Sequence, residues 1–208
     1  MNHAHHPSVR TGTPVQNRSR QRVSDILDAA RRVVAREGSS ALTVTTIAAE
    51  AKLKPGSIYR YFADRSAIMQ VLGEQTSHQM SDILRTTIAS GREGGLSDAD
   101  ILEMAVERLY ANWRNDPVAR EIWLSILTEH SLRDIVLSDT QEKLALIADL
   151  LEQASDSARG SEGRTDRKLL LEFLHCATMV ALDLPAMQGK RAIDEAKTWV
   201  KPMLSQMK

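Results

Sequence analysis

The sequence predicts an all-α protein with a small N-terminal three-helix head and a larger helical body, joined by one long helix. Glycine and proline are few, with 10 and 6 among 208 residues, so long helices are seldom interrupted. Apolar residues recur at helical spacing, and the alternation typical of strands is absent. The first 70 residues carry 11 Lys and Arg against 5 Asp and Glu, whereas the remainder carries 16 against 22. A basic head is therefore joined to an acidic body.

Composition excludes several classes of protein. With 42% apolar residues the chain can bury a sizeable core, and with 4% aromatic residues that core is mostly aliphatic. A single cysteine excludes an internal disulfide and a cysteine-based zinc site, which is typical of a reducing cytoplasm. The N-terminal residues lack the apolar core of a secretory signal, and the longest apolar stretch, 169–187, contains Glu172, His175 and Asp183. We therefore expect a cytoplasmic protein without a membrane span.

The sequence contains no pattern typical of an enzyme. It has no glycine-rich phosphate loop and no nucleophile motif. His78, His130 and His175 are far apart, and nothing near the N-terminal histidines completes a metal-ligand set. We expect no catalysis, no metal site and no cofactor.

The N-terminal segment, residues 1–22, is polar and has no apolar period, so we expect it to be disordered. Its arginines, Arg10, Arg18, Arg20 and Arg22, could follow phosphates or enter a minor groove, but a solubilising tail is an equal alternative. The head is expected at residues 23–70 and the body at 71–208. The first helix of the head is predicted over 24–37, with Gly38 as its stop.

A pair of short helices is predicted between Thr43 and Arg65. Thr43 can cap the first helix, residues 52–54 form a turn, and Pro55 opens a second helix that reaches Phe62. Ile58 and Phe62, four positions apart, are expected to face inward. The outward side chains of the second helix are hydroxyls, a guanidinium and phenols, namely Ser57, Tyr59, Arg60 and Tyr61. Such a helix is typical of one that enters a DNA major groove, and an ordinary helical hairpin with a solvated polar face is the alternative.

Three motifs support the first of these interpretations: LTVTTIA at 42–48, PGSIYRYF at 55–62 and ADR at 63–65. With them, the segment 26–72 resembles the TetR family of bacterial transcriptional regulators, in which a helix-turn-helix binds DNA. The resemblance implies that Thr45, Pro55, Gly56, Ser57 and Tyr59 approach base edges. It also implies that Thr43, Tyr61 and Arg65 hold phosphates. With Lys54 and Arg60, the predicted DNA-binding residues are Thr43, Thr45, Lys54, Pro55, Gly56, Ser57, Tyr59, Arg60, Tyr61 and Arg65.

Two residues depart from the family pattern. Lys52 occupies a turn position where the family favours glycine, so a left-handed backbone there would cost roughly 1 kcal/mol. Lys54 replaces the usual Ser or Thr cap of the second helix, which costs about 1 kcal/mol. A phosphate or guanine bound by Lys54 would offset that cost.

The body is predicted to consist of long helices separated by short breaks. A flexible break is expected at 91–97, and Asp116-Pro117 should end one helix and begin the next. The predicted helices that can be bounded cover residues 66–90, 98–115, 140–157, 165–186 and 190–207.

A pocket for a small-molecule effector is implied by the family resemblance. Indole and thioether groups suit flat, varied ligands, although for each residue taken alone core packing is the favoured account. The predicted lining is Met80, Leu84, Met104, Tyr110, Trp113, Trp123, Leu127, His175 and Met179.

The helix at 165–186 also predicts a partner. It is apolar around most of its circumference, and its polar side chains, among them Glu172, His175 and Asp183, occupy one narrow stripe. That stripe could sense a cation or a proton, or be a solvated edge, and Cys176 is expected to be buried. Helices 140–157 and 165–186 would form a four-helix bundle with a second copy.

These expectations combine into a homodimeric, ligand-responsive repressor. Because one short helix reads few bases, two heads would meet a palindromic operator at half-sites ~34–36 Å apart. The alternative is an all-helical interaction adaptor without an operator, which would show a repeat of roughly 30–45 residues. No such repeat is visible in the sequence.

Overall fold

The structure is a computed structural model that describes residues 14–152 and 161–206. In these ranges the chain forms ten α-helices and two short 3-10 turns without any strand, so the predicted all-α fold is confirmed. The chain divides into two compact units, Met1–Ile68 and Met69–Lys208. The boundary expected at residue 70 lies two residues from this division.

The first unit contains a helix-turn-helix preceded by a longer helix. Its helices are α1 (Pro14–Glu37), α2 (Val44–Glu50) and α3 (Pro55–Ile58). A long helix, α4 (Arg65–Glu93), begins in this unit and continues into the second. Gly38 ends α1 with φ 83°, and its amide donates to the Val34 carbonyl at 2.9 Å.

The start of α1 corrects the sequence prediction. The helix begins at Pro14 and not at Ser24, so the prediction of disorder is wrong for residues 14–22. Proline is tolerated there because the first amides of a helix have no intrahelical partner. Residues 1–13 of the predicted arm lie outside the described residues. Arg18 and Arg22 are therefore carried by a helix.

The head is held together by aliphatic side chains from its first three helices. Ile26 and Val33 of α1, Ile47 of α2 and Ile58 of α3 are fully buried. Burying each such side chain contributes on the order of 1.5–3 kcal/mol. The predicted apolar positions therefore form the core of the head.

An ion-pair cluster connects α1 to α2. Arg32 Nε and Arg36 Nη1 donate to the two carboxylate oxygens of Glu50 at 2.7 and 2.8 Å. These hydrogen bonds, from Arg36 first and Arg32 second, lower the pKa of Glu50. Both arginines are thus engaged within the head.

Thr43 caps α2 as predicted. Its Oγ1 accepts from the Thr46 amide at 3.0 Å, and its own amide donates to Thr46 Oγ1 at 2.9 Å. This reciprocal pair satisfies two amides at the helix start. The entry into the helix pair is therefore determined by local sequence.

Lys52 adopts the left-handed backbone predicted for it, with φ 56°. Among the described residues it is the only non-glycine residue with a positive φ. We expect Lys52→Gly to raise the free energy of unfolding by about 1 kcal/mol, because glycine has no Cβ to strain this conformation. Urea unfolding followed by circular dichroism would measure the change. Lys52→Ala is the matched control, since it removes the charge but keeps the Cβ, and an equal gain in both variants would contradict the argument.

The second unit contains the rest of α4 and six further helices. They are α5 (Asp98–Asn115), α6 (Pro117–Thr128), α7 (Arg133–Glu152), α8 (Ser161–Asp183), α9 (Ala186–Lys197) and α10 (Val200–Gln206). α5 has the predicted bounds, with Ser97 as its cap, and Asp116 caps α6 by accepting from the Ala119 amide at 2.8 Å.

Other helix bounds in the body differ from the prediction. α4 continues to Glu93, so the break predicted at 91–97 is shorter, and Gly91 packs against Ile101 within the helical stretch. α7 begins seven residues before the predicted 140. The closing helix predicted at 190–207 is two helices, α9 and α10, separated by a turn at Thr198–Trp199.

α8 lies against α5, α7 and α9. Its approach to α9 requires a residue without a side chain, because a Cβ on Gly189 would lie 2.3 Å from the Ala181 carbonyl oxygen. Among the described helices, none has the length and apolar character needed to cross a membrane.

Candidate nucleic-acid interface and ligand cavity

The predicted recognition helix is shorter than expected. α3 ends at Ile58, and the chain continues as a turn in which the amides of Tyr61 and Phe62 both donate to the Ile58 carbonyl, at 2.8 and 3.0 Å. Ile58 is fully buried and Phe62 is 6% exposed, as predicted. These two side chains anchor a corner whose intervening residues are left outside.

The ten predicted DNA-binding residues all remain accessible at or near this corner. Tyr59 is 56% exposed, although it is a large aromatic residue. Ser57 and Arg65 are half-buried. The exposed members are Thr43, Thr45, Lys54, Pro55, Gly56, Tyr59, Arg60 and Tyr61.

Lys54 starts α3 without a side-chain cap, as predicted. Its backbone is extended, with φ −80° and ψ 143°, and its side chain makes no capping hydrogen bond. The side chain is exposed. The ammonium group is therefore available to an anion beside the first turn of α3.

A cavity lies within the second unit and has mostly apolar walls. Its volume is about 70 Å³, room for about five water-sized spheres. Five of the nine predicted residues line it: Met80, Leu84, Trp113, Trp123 and His175. The lining also contains residues that were not predicted: Leu102, Ala105, Val106, Leu109, Lys143, Ile147, Leu171, Leu174 and Thr178.

The other four predicted residues do not line this cavity, for geometric reasons. The cavity-lining residues of α5 are at positions 102, 105, 106, 109 and 113, which lie on one face of the helix. Met104 lies on the opposite face, and Tyr110 lies about 80° around the helix from the lining face. Met179, like Tyr110, lies to one side of the face of its helix, α8, that lines the cavity. Leu127 lines an adjoining cavity.

Lys143 is the charged group in the wall of the cavity. It forms an ion pair with Asp139, and its Nζ lies 5.5 Å from the ring centroid of Trp123. Asp139, itself buried, also accepts from Ser77 Oγ of α4 at 2.6 Å. Lys143 therefore belongs to a polar chain that runs from the cavity to α4.

His175 lies beside this chain and not in a surface stripe. Burial lowers its pKa, and the positive charge of Lys143 lowers it further, against opposite effects of Glu172 and Asp139. The imidazole is therefore neutral at neutral pH. Glu172 and Asp183, by contrast, are exposed, and Glu172 lines the adjoining cavity together with His175.

An exposed apolar stripe runs along the outer face of α8. Leu169 and Val180 are 59% and 61% exposed, and Cys176 between them is exposed, which corrects the expectation that this cysteine is buried. Phe173, half-buried, lies on the same side of the helix. In the single chain, the described residues do not bury this stripe.

Two family models match the chain. The model of the tetracyclin repressor-like C-terminal domain matches residues 96–208. The model of the bacterial regulatory proteins of the tetR family matches residues 26–72, which include the helix-turn-helix. The chain belongs to the TetR family. This TetR-family protein is a DNA-binding transcriptional regulator, and the matches indicate no enzyme family.

Solved structures share the fold of this TetR-family regulator. The multidrug binding protein EbrR, complexed with imidazole, has a TM-score of 0.69 at 22% identity, over 88% of this chain and 94% of that one. A TetR-family regulator from Streptomyces coelicolor has a TM-score of 0.68 at 17% identity, over 90% and 99%. FadR from Bacillus subtilis, in complex with stearoyl-CoA, has a TM-score of 0.64 at 18% identity, over 88% and 97%. No curated protein matches the chain.

One functional candidate in this TetR-family regulator was missed by sequence reasoning although a signal existed. Lys143 stands four positions after Asp139, the spacing of an intrahelical ion pair. In a helix taken to start at residue 140, however, Asp139 would have been outside the helix. The longer α7 is what places the pair on one face.

Proposed function

We propose that this regulator is a homodimeric repressor that binds a palindromic operator and is released by a small organic effector. The observation that carries the proposal is the α3 corner, where Ser57, Tyr59, Arg60 and Tyr61 face solvent above the buried anchors. Tyr59 and Tyr61 are 56% and 36% exposed in the turn directly after α3, and neighbouring exposed aromatic residues are typical of an interaction surface.

The corner suits a major groove. Gly56 has no atom within 4 Å of the position of an added Cβ, so the backbone there is open to close approach by a duplex. Tyr59 would lay its ring on a thymine methyl, with Thr45, Pro55 and Ser57 near base edges. Thr43, Tyr61, Arg65 and Lys54 would hold phosphates, which position the helix without reading sequence.

Dimerisation is supported by the outer face of α8. Exposed apolar side chains at 169, 176 and 180 form a stripe that water contacts in the single chain, and Leu137 on α7 is 47% exposed. Covering both helices with a second copy would remove this apolar surface from water. Two heads would then meet two half-sites of an operator in the cytoplasm.

The cavity suits the effector. Its walls of indole rings and aliphatic side chains suit a small apolar ligand, and Lys143 with neutral His175 offers hydrogen-bond donors to one polar group. Displacing Lys143 from Asp139 would also alter the hydrogen bond from Ser77 of α4. Since α4 continues from the head into the body, that bond offers a path for release.

A mobility-shift assay with the DNA upstream of the protein's own gene tests the proposal. We expect a shift at a palindrome that weakens steeply as salt rises, because phosphate contacts release counterions. Loss of the shift on scrambling either half-site would show that both halves are read. No shift with any duplex would favour the interaction adaptor.

The effector part is tested by filling the cavity. Ala105→Leu adds three carbons to the wall, so we expect it to weaken binding of the probe indole at least tenfold, as measured by isothermal titration calorimetry. Ala111→Leu is the matched control, because Ala111 is exposed on the same helix. Equal indole affinity in both variants would place the ligand elsewhere.

A further inference from the structure

The head carries a second basic surface, separate from the residues assigned to base reading. Arg18, Ser19 and Arg22 of α1 line one shallow cleft together with Arg60 and Tyr61 from the turn after α3. Arg18 and Arg22 are four positions apart, so they lie one above the other on the same side of α1. The cleft exists only because α1 begins at Pro14.

Two of the three arginines in this cleft, Arg18 and Arg60, have no counter-charge within the described part of the chain. Three arginines line the cleft, and the lining contains no carboxylate residue. Arg18 and Arg60 have no ion pair with any described residue, and Arg22 Nη1 lies 3.7 Å from Asp25 Oδ2, beyond hydrogen-bond distance. Arg32 and Arg36, in contrast, are held by Glu50 at 2.7 and 2.8 Å.

The chemistry of the lining identifies its ligand. Positive charges carried by residues of one cleft repel one another, and an anion bound among them lowers that repulsion. Arginine matches the oxygens of a phosphate with paired N–H donors, and the hydroxyls of Ser19 and Tyr61 add O–H donors. Base edges offer no such concentration of negative charge, so the cleft suits the sugar–phosphate backbone.

We propose that Arg18, Ser19 and Arg22, with Arg60 and Tyr61, form a binding cleft for a phosphodiester of the operator backbone. This inference rests on the proposed DNA binding of the α3 corner, and it adds a site on α1 to it. Arg60 and Tyr61 directly follow Tyr59 in the sequence. A DNA strand bound in the cleft would therefore also run beside the proposed base-reading residues. The start of α1 thus orients α3 in its groove and contributes affinity that does not depend on base sequence.

The test compares two arginines on the same helix. Arg18→Gln removes a charge from the cleft, whereas Arg20→Gln removes the same charge from a position about 200° around α1. Glutamine keeps the helix propensity in both variants. We expect Arg18→Gln to weaken operator binding of the dimer roughly tenfold and to reduce the slope of log K against log salt by about 2, one phosphate for each head. We expect less than a twofold change for Arg20→Gln.

The same variants are also tested for binding to mixed-sequence DNA and to inorganic phosphate. Arg18→Gln should weaken binding to mixed-sequence DNA by the same factor as binding to the operator, since a phosphate contact carries no sequence information. Equal effects of the two variants, or a loss confined to the operator, would overturn the inference. Tight binding of inorganic phosphate at constant ionic strength, lost in Arg18→Gln without any change in DNA affinity, would assign the cleft to a free anion and overturn it too. If the parent protein binds no DNA at all, the proposed function itself fails.

Discussion

Tyr59→Ala is expected to abolish operator binding while leaving helicity and dimerisation unchanged. The side chain is 56% exposed on a corner held from below by Ile58 and Phe62, so its removal leaves the core intact. Loss of one good base contact costs about 1–3 kcal/mol, and a dimer would lose two. Affinity should therefore fall roughly 30-fold to 20,000-fold, at an unchanged urea midpoint.

Fluorescence anisotropy with the operator duplex would measure this loss. Tyr59→Phe is the matched control, because it keeps the ring that is proposed to contact a thymine methyl and removes only the hydroxyl. We expect Tyr59→Phe to retain most of the affinity. Parental affinity in Tyr59→Ala would show that the recognition surface has been misplaced.

Val180→Asp is expected to yield a monomer and, as a consequence, a protein without operator affinity. Val180 is 61% exposed at the C-terminal end of the apolar stripe that also contains Leu169 and Cys176. Two aspartates facing each other across a two-fold axis would each lose solvation without gaining a partner. A monomer offers a single head, which reads too few bases for a specific complex.

Analytical ultracentrifugation across the micromolar range would follow the dissociation, with operator binding measured on the same samples. Ala111→Asp, which adds the same charge at an exposed position of α5, should leave both the dimer and DNA affinity unchanged. A persistent dimer in Val180→Asp would place the interface on another face of the body. If monomeric Val180→Asp kept full operator affinity, operator binding would not require dimerisation.

Features that depend on neighbours in sequence were predictable. The Thr43 cap, the left-handed Lys52, the uncapped Lys54 and the inward pair Ile58 and Phe62 all agree with the structure. Each follows from backbone preference or from the period of a helix, which act over about four residues. The helix-turn-helix could therefore be located before any coordinates, although its second helix proved one turn long.

Features that depend on contacts between distant segments were predicted only in part. Residue type alone suggested Met104 and Tyr110 for the cavity, but the rotation of α5 turns a different face, including Ala105 and Leu109, toward it. Cys176 was expected inside because cysteines usually are. The packing of α8 against three neighbours leaves that side outside instead.

The sequence by itself determined that this protein is helical and where its helix-turn-helix lies, because helical period, caps and a compact motif are local properties of the chain. Tertiary structure alone decided which apolar side chains enclose the cavity, that Lys143 shares Asp139 with Ser77 of another helix, and that Arg18 and Arg22 meet Arg60 in one cleft. Each of these depends on the rotation of one helix relative to another. That rotation is set by packing between many residues that are distant in sequence, so it cannot be predicted from any single segment.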